Sequence, residues 1–351
     1  MRDYETLRTK STWEYVRLQM AGIFNSELDS ILEGTSRSFY LSLKELPRPI
    51  RKQVSLLYLM ARTSDTIADS ESSTPADRLQ LLREYGGFCQ GSEDEGPDLS
   101  NFADLQSNQS EGRLLKNTTE IISKIVEFDD RDQDSIRRCL GTIISGQILD
   151  LERFSNSFGK ITSLSEDSEL DDYAYRVAGS VGEFWTRISI DHLFETNKET
   201  EEKMFEYGVK FGKALQMINI LRDIPSDLSI GRCYIPENSL GKHGLIPEDL
   251  LKPSKMDKFR PLYNELLDLT TSHLNSAVQY IGLIPHGQYR LRGACMLPVV
   301  IGRKTVSKLR EGNVLDPKNR IKIDRSEVKG LVRKIVMSVP FQKTSNNLLN
   351  S

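Results

Sequence analysis

The sequence predicts an all-α fold, and three observations predict it. Apolar residues recur at three- and four-residue spacing through most of the chain, which is the period of a helix with one buried face. Strand-type alternation of apolar and polar residues is scarce. Helix-start signals, such as Thr74-Pro75 and Asp324-Arg-Ser-Glu327, open the periodic stretches.

The elements follow in order. Pro47 and Pro49 punctuate the segment Leu43 to Ile50, so a helix starts there and runs to about Asp69. Thr74 is placed as an N-cap with Pro75 at the first helical position, opening a helix through Leu79, Leu81, Leu82 and Tyr85 towards Gly86-Gly87. Residues 91–113 are polar and biased, which predicts an exposed loop. Asn117-Thr-Thr-Glu120 has the pattern of a capping box that opens a helix to about Phe128. Further helices are expected over 132–155, 166–194, 199–224, 256–284, 288–311 and 324–339. Between 225 and 255, Pro225, Gly231, Pro236, Gly241, Gly244, Pro247 and Pro253 predict a loop region with one short helix. The polar tail 341–351 is expected to fray. With no repeat and no obligatory linker, residues 1–351 read as a single all-helical domain whose site lies in the bundle core.

Composition excludes several classes. The 351 residues are enough for a large core. A net charge of −3 gives no argument for nucleic acid as a partner. Cys89, Cys139, Cys233 and Cys295 are scattered without a CxxC pair and read as reduced, mostly buried thiols of a cytoplasmic protein. His192, His243, His273 and His286 are isolated, which argues against zinc. The stretch Met1 to Gly22 is charged and lacks the apolar core of a signal peptide. No stretch reaches the roughly eighteen apolar residues that span a bilayer. The expectation is a soluble protein that at most touches a membrane.

Two acidic clusters carry the chemistry. Tyr58, Arg62, Asp65 and Asp69 form one helical stripe; Gln216, Asn219, Asp223 and Asp227 form a second. Each places two aspartates four residues apart on an otherwise apolar helix, with Arg62 or Arg222 just before them. Carboxylates held that close repel one another. Magnesium relieves the repulsion, because it is held by one or two carboxylates, waters and substrate phosphate oxygens. Two such clusters face to face would grip a diphosphate through bridging metal ions. The plain alternative is a solvated stripe with an Arg62–Asp65 ion pair. Pro225 falls between the second pair of acids and tends to kink or end a helix. Arg37, Arg62, Arg222 and Arg232 are candidates for gripping phosphate, since a guanidinium fork matches phosphate oxygens. The small residues in Tyr173-Ala-Tyr-Arg-Val-Ala-Gly-Ser-Val-Gly182 have two readings. One is tight helix packing; the other is room for a long apolar substrate chain.

The set resembles the squalene/phytoene synthase family, the head-to-head prenyl diphosphate synthases. The resemblance covers roughly residues 30–305 and rests on Ser36-Arg-Ser-Phe39, Tyr58-x3-Arg62-x2-Asp65-x3-Asp69, Tyr173-x-Tyr175-x-Val-Ala-Gly179-x-Val-Gly182 and Asn219-Ile-Leu-Arg-Asp223-x3-Asp227. It implies an isoprenoid-synthase helical bundle with a central cavity. Asp65, Asp69, Asp223 and Asp227 match the family's two aspartate-rich motifs and would bind magnesium. Ser36, Phe39, Tyr58, Arg62, Gln216, Asn219, Arg222 and Tyr234 match substrate- or phosphate-contacting positions, and Tyr173 is the candidate that positions the proton to be lost. Asp150 sits where the family often has a Gly-Met-x-x-Asp pattern, here degraded. Ser226 replaces the usual glutamate of the second motif, and Pro225 and Ala174 also depart from the pattern.

The implied reaction joins two farnesyl diphosphates through presqualene diphosphate. Reduction by NADPH then gives squalene; proton loss gives dehydrosqualene or phytoene. The sequence has no GxGxxG fingerprint, and squalene synthases bind NADPH without one. The wording Asp65-Thr-Ile-Ala-Asp69 leans towards squalene synthases. The other readings are a synthase that stops without reduction and a non-catalytic scaffold member. A hydrophobic product further implies release towards a membrane.

Overall fold

The computed structural model describes residues 22–36, 38–70, 73–155, 160–318 and 320–350. In chain order the helices are α1 (Ser26–Ser36), α2 (Ser38–Glu45), α3 (Arg48–Asp69), α4 (Pro75–Gln90), α5 (Ser100–Asp104), α6 (Gln109–Lys116), α7 (Thr118–Ser123) and α8 (Asp130–Phe154). Then come α9 (Asp167–Ala174), a π turn (Tyr175–Gly179), α10 (Ser180–Leu193), α11 (Lys198–Ser229), α12 (Glu237–Lys242), α13 (Met256–Leu283), α14 (Tyr289–Glu311), α15 (Arg325–Ser338) and α16 (Gln342–Asn350). The strands described are β1 (Thr162–Ser163) and β2 (Arg232–Cys233), paired in parallel.

Local signals set the helix starts. Pro47 precedes α3, and the side chain of Thr74 accepts from the Asp77 N–H to cap α4. Asp324 and Glu327 close a capping box on α15. Asn117 makes no such bond; α7 ends at Ser123, and a 3-10 turn carries the helical path on to Glu127, near the expected end.

Two apolar clusters form the core. The first gathers the buried faces of α1 to α8 with parts of α10, α13, α14 and α15, including Leu56, Leu59, Met60 and Ile67. The second gathers the later half of α11 with α12 and α13, including Leu221, Ile224, Phe259 and Tyr263. The stripe on α3 therefore stands on the first cluster and the stripe on α11 on the second.

Three expectations are corrected. Residues 91–113 are not one exposed loop: α5 lies within them and α6 begins there, because Leu99, Phe102, Ala103 and Leu114 are buried. The tail 341–351 does not simply fray: α16 covers Gln342–Asn350 and buries Leu349. Pro225 does not end α11. A proline there leaves the carbonyl of Leu221 without its helical donor. The Tyr263 hydroxyl of α13 donates to that carbonyl at 3.0 Å, and the helix runs on to Ser229.

The helix expected over 166–194 holds its course with a π turn inside it. The small residues of this segment are a helix crossing. A Cβ on Gly182 would overlap the carbonyl oxygen of Gly208, and one on Gly212 would overlap that of Ala178. The backbones of α10 and α11 meet there, so the packing reading accounts for Gly182.

Among the described residues no helix is long and apolar enough to cross a membrane. Cys89, Cys139, Cys233 and Cys295 are all buried and unpaired, and burial pushes each thiol up to about 12.

Candidate active site

The first stripe is held by α3, whose apolar residues lock it into the core. Tyr58 donates to the Thr35 carbonyl at 3.1 Å, tying α3 to α1. Arg62 does not pair with Asp65. Its Nη2 meets Glu111 Oε1 at 2.5 Å, so a residue of α6 anchors it. Gln147 of α8 donates to Asp65 Oδ1 at 2.6 Å. Burial, and then the charge of Asp69, push the Asp65 carboxyl up to about 6 against the pull of Arg62 and Gln147. Asp69 is open to solvent, yet surrounding protein raises its carboxyl too, opposed by Arg232, Arg62 and Arg78. An acid that is wet but crowded in this way lines a recess rather than an outer face.

The second stripe is carried by α11. Gln216, Asp223 and Asp227 are half-buried and Asn219 is exposed, so the polar stripe faces water and is not sealed in the core. Asp223 accepts from Arg222 Nε at 3.1 Å and from Arg320 Nη2 at 2.7 Å. Burial alone would raise its carboxyl, but these two arginines outweigh it and hold it below the usual value. Among the described residues no arginine is hydrogen-bonded to Asp227. Burial, then the charge of Asp223, push it up to about 7, against the pull of Arg232.

Arg232 links the stripes, because its charge acts on Asp69 of α3 and on Asp227 of α11. The short β1–β2 ladder holds its backbone, with Thr162 N–H donating to the Gly231 carbonyl at 2.9 Å. Its Nη1 donates to Asp150 Oδ2 at 3.0 Å. Tyr234 donates to Asp150 Oδ1 at 2.8 Å and stacks on Tyr173, with centroids 4.9 Å apart and planes 19° from parallel. Tyr173, Arg232 and Tyr234 thus meet as one group between the two stripes.

Some expected site residues are buried or fall outside the description. Ser36 is buried and its hydroxyl donates to the Leu32 carbonyl. Arg37 lies outside the described residues, and of Phe39 only the backbone is described, within α2. Glu111, Gln147 and Arg320 were not among the expected residues. Glu111 fell in the supposed loop, and Arg320 lies in the segment between α14 and α15, with no motif to mark either. Among the described residues no three His, Cys, Asp or Glu side chains gather closely enough to enclose a metal ion.

Known proteins resemble this chain in sequence and in fold. The squalene/phytoene synthase family model matches residues 32–327. A bifunctional lycopene cyclase/phytoene synthase of Leptosphaeria maculans is 28% identical over 287 residues, covering 79% of this chain and 45% of the relative. A probable squalene synthase of Neurospora crassa is 28% identical over 253 residues, covering 71% of this chain and 50% of the relative. The chain thus spans about half the length of the curated relatives it matches. Among solved structures, TcSQS in complex with the ligand E5700 matches with a TM-score of 0.71 at 18% identity, over 93% of this chain and 96% of that one. That likeness is one of fold, the isoprenoid-synthase helical bundle.

Proposed function

The chain belongs to the squalene/phytoene synthase family, and from that premise we propose that it condenses two farnesyl diphosphates head to head, through presqualene diphosphate, to squalene. The observation that carries the reading is the convergence of the two aspartate stripes on Arg232. NADPH enters as a co-substrate that donates the hydride.

Asp65, Asp69, Asp223 and Asp227 would hold magnesium. Their oxygens are the hard donors it takes, and Asp65 and Asp227 carry repulsion that their own arginines leave uncancelled. The chemistry magnesium supplies when bound is neutralisation of the departing diphosphate. Arg62, Arg222 and Arg232 add charge-assisted hydrogen bonds to the same oxygens. The allylic C–O bond breaks, and the double bond of the second molecule attacks the resulting cation. Tyr173 orients the carbon whose proton is lost as the cyclopropane closes. Burial raises its phenol far above the ordinary value, so it stays neutral and the released diphosphate takes the proton. Ser36, Arg37, Phe39, Tyr58, Gln216, Asn219 and Tyr234 are proposed as substrate contacts.

A second reading ends without reduction, at presqualene diphosphate, dehydrosqualene or phytoene. The phytoene synthase among the relatives favours it. A scaffold role fits less well, because all four aspartates are present.

The hydrocarbon product would leave towards a lipid surface. The outward face of α15 suits that contact: Val336 and Met337 are 68% and 67% exposed and stand among exposed Lys329, Arg333 and Lys334.

The test is product analysis with farnesyl diphosphate and magnesium, with and without NADPH. Squalene formed only with NADPH supports the first reading. Dehydrosqualene or presqualene diphosphate regardless of NADPH moves the function to the second. No product from farnesyl or geranylgeranyl diphosphate would overturn both.

A further inference from the structure

Resting on the reading of this recess as a prenyl diphosphate site, we propose that Asp150 is a positioning residue that sets Arg232 and the Tyr234–Tyr173 pair together. It belongs to neither aspartate stripe. It sits on α8, near the helix end, and is only 7% exposed.

Each of its oxygens has a different partner. Oδ2 accepts from Arg232 Nη1 at 3.0 Å, and Oδ1 accepts from the Tyr234 hydroxyl at 2.8 Å. A carboxylate can only accept, so both partners must donate. Asp223 also engages both oxygens, but with arginines alone; Asp150 joins an arginine to a tyrosine and so acts through its neighbours.

The first consequence concerns charge placement. Arg232 has a flexible side chain, and its backbone lies in a two-residue ladder. Asp150, with the Phe154 ring 5.9 Å from the guanidinium centre, holds that cation where it acts on Asp69 and Asp227 at once. The charge of Asp150 itself is felt at Asp227 and at Tyr173.

The second consequence concerns proton order. Because Tyr234 donates to Asp150, its oxygen is left to accept. Tyr173 lies 3.4 Å from it and donates. The Tyr173 proton is thereby directed into the protein, and its lone pairs are left to face a developing cation. One buried acid orders the phosphate-gripping arginine and the tyrosine that orients proton loss.

Asp150→Asn tests this with little change of shape. An amide has one acceptor oxygen and one donor nitrogen where the carboxylate has two acceptor oxygens, so it cannot reproduce the separate acceptances from Arg232 on one oxygen and Tyr234 on the other. With farnesyl diphosphate as substrate, kcat should fall by about 100-fold, the scale expected for misplaced catalytic groups. Affinity for inorganic diphosphate with magnesium, measured by calorimetry, should fall about tenfold, in proportion to the loss seen in Arg232→Gln. Asp150→Asn added to Arg232→Gln should cost little more in that affinity, since the two act as one unit.

Asp150→Glu keeps the charge and provides the second variant should the first fail to fold. It should retain diphosphate affinity while losing turnover. Unchanged kcat and unchanged diphosphate affinity in a folded Asp150→Asn protein would overturn the proposal, as would strictly additive losses with Arg232→Gln. The calorimetric arm needs no turnover. If the wild type makes no condensation product, the functional reading fails while the coupling of Asp150 to Arg232 is still measured.

Discussion

Asp65 and Asp227 are acids whose protein surroundings oppose their charge. Burial and a neighbouring aspartate push them up to about 6 and about 7. In the unfolded chain both lose their proton near the ordinary aspartate value. Between that value and pH 7 the folded state therefore binds more protons than the unfolded one, so these groups lower stability as pH rises through the window. Asp223, held low, has the opposite sign, and its contribution is lost only in stronger acid. We expect magnesium to raise the melting temperature more at pH 8 than at pH 5.5, and the difference to shrink in the Asp65→Asn, Asp227→Asn double variant. An equal shift at both pH values would contradict this. Asp65→Ala should abolish turnover by about 100-fold or more while leaving stability unchanged or slightly higher, because it relieves repulsion. If the stripe were merely solvated, product formation would persist. The residue types and spacing of the two stripes were legible in the sequence, since four-residue spacing on a helix needs no tertiary knowledge. The pairing of Arg62 with Glu111 was not, because the partner lies 49 residues away in a segment read as a loop.

The helices α3, α8, α13 and α14 were legible from their apolar period and their punctuation, to within a few residues at each end, as was the start of α11. The errors came where local rules met tertiary partners. Pro225 carries a local signal to break α11, and Tyr263 from α13 supplies the donor the proline lacks. Tyr263→Phe should cost about 1–2 kcal/mol in chemical denaturation, the range for an orphaned buried carbonyl. In a Pro225→Ala background the restored N–H serves Leu221, and the same change should cost much less. Equal costs in both backgrounds would remove Tyr263 as the reason the helix continues. The small residues of α10 could be read either way, because a glycine marks close approach without saying to what. Gly182→Ala should destabilise by about 2–3 kcal/mol, since the added methyl meets the backbone of α11, which cannot yield as a side chain does.

Across the molecule, packing brings α3 and α11 within the influence of Arg232, although their aspartate pairs lie more than 150 residues apart in sequence. On the outer side, α15 and the residue preceding α16 gather Val332, Val336, Met337 and Phe341, four large apolar side chains exposed within ten residues. Lys329, Arg333 and Lys334 share the open face of α15. Each basic residue near an anionic bilayer contributes about 1 kcal/mol. The protein should therefore co-sediment with vesicles containing phosphatidylglycerol more than with pure phosphatidylcholine. Salt, or Lys329, Arg333 and Lys334 changed together to Glu, should abolish the difference. Sedimentation that ignores vesicle charge would exclude this face as the contact.

What the sequence determined by itself is the helical class, the order of the helices, and the two aspartate pairs with their arginines. All of these follow from spacing along one helix, where neighbours three and four residues apart must share a face. What only the tertiary structure decided is which cation serves which acid. Arg62 goes to Glu111, Arg320 to Asp223 and Arg232 to Asp150, each across a different packing contact. Electrostatic partners depend on distances of a few ångströms between elements remote in sequence. A helical period sets which way a side chain points from its own axis, and only the packing of the cores sets what it meets there.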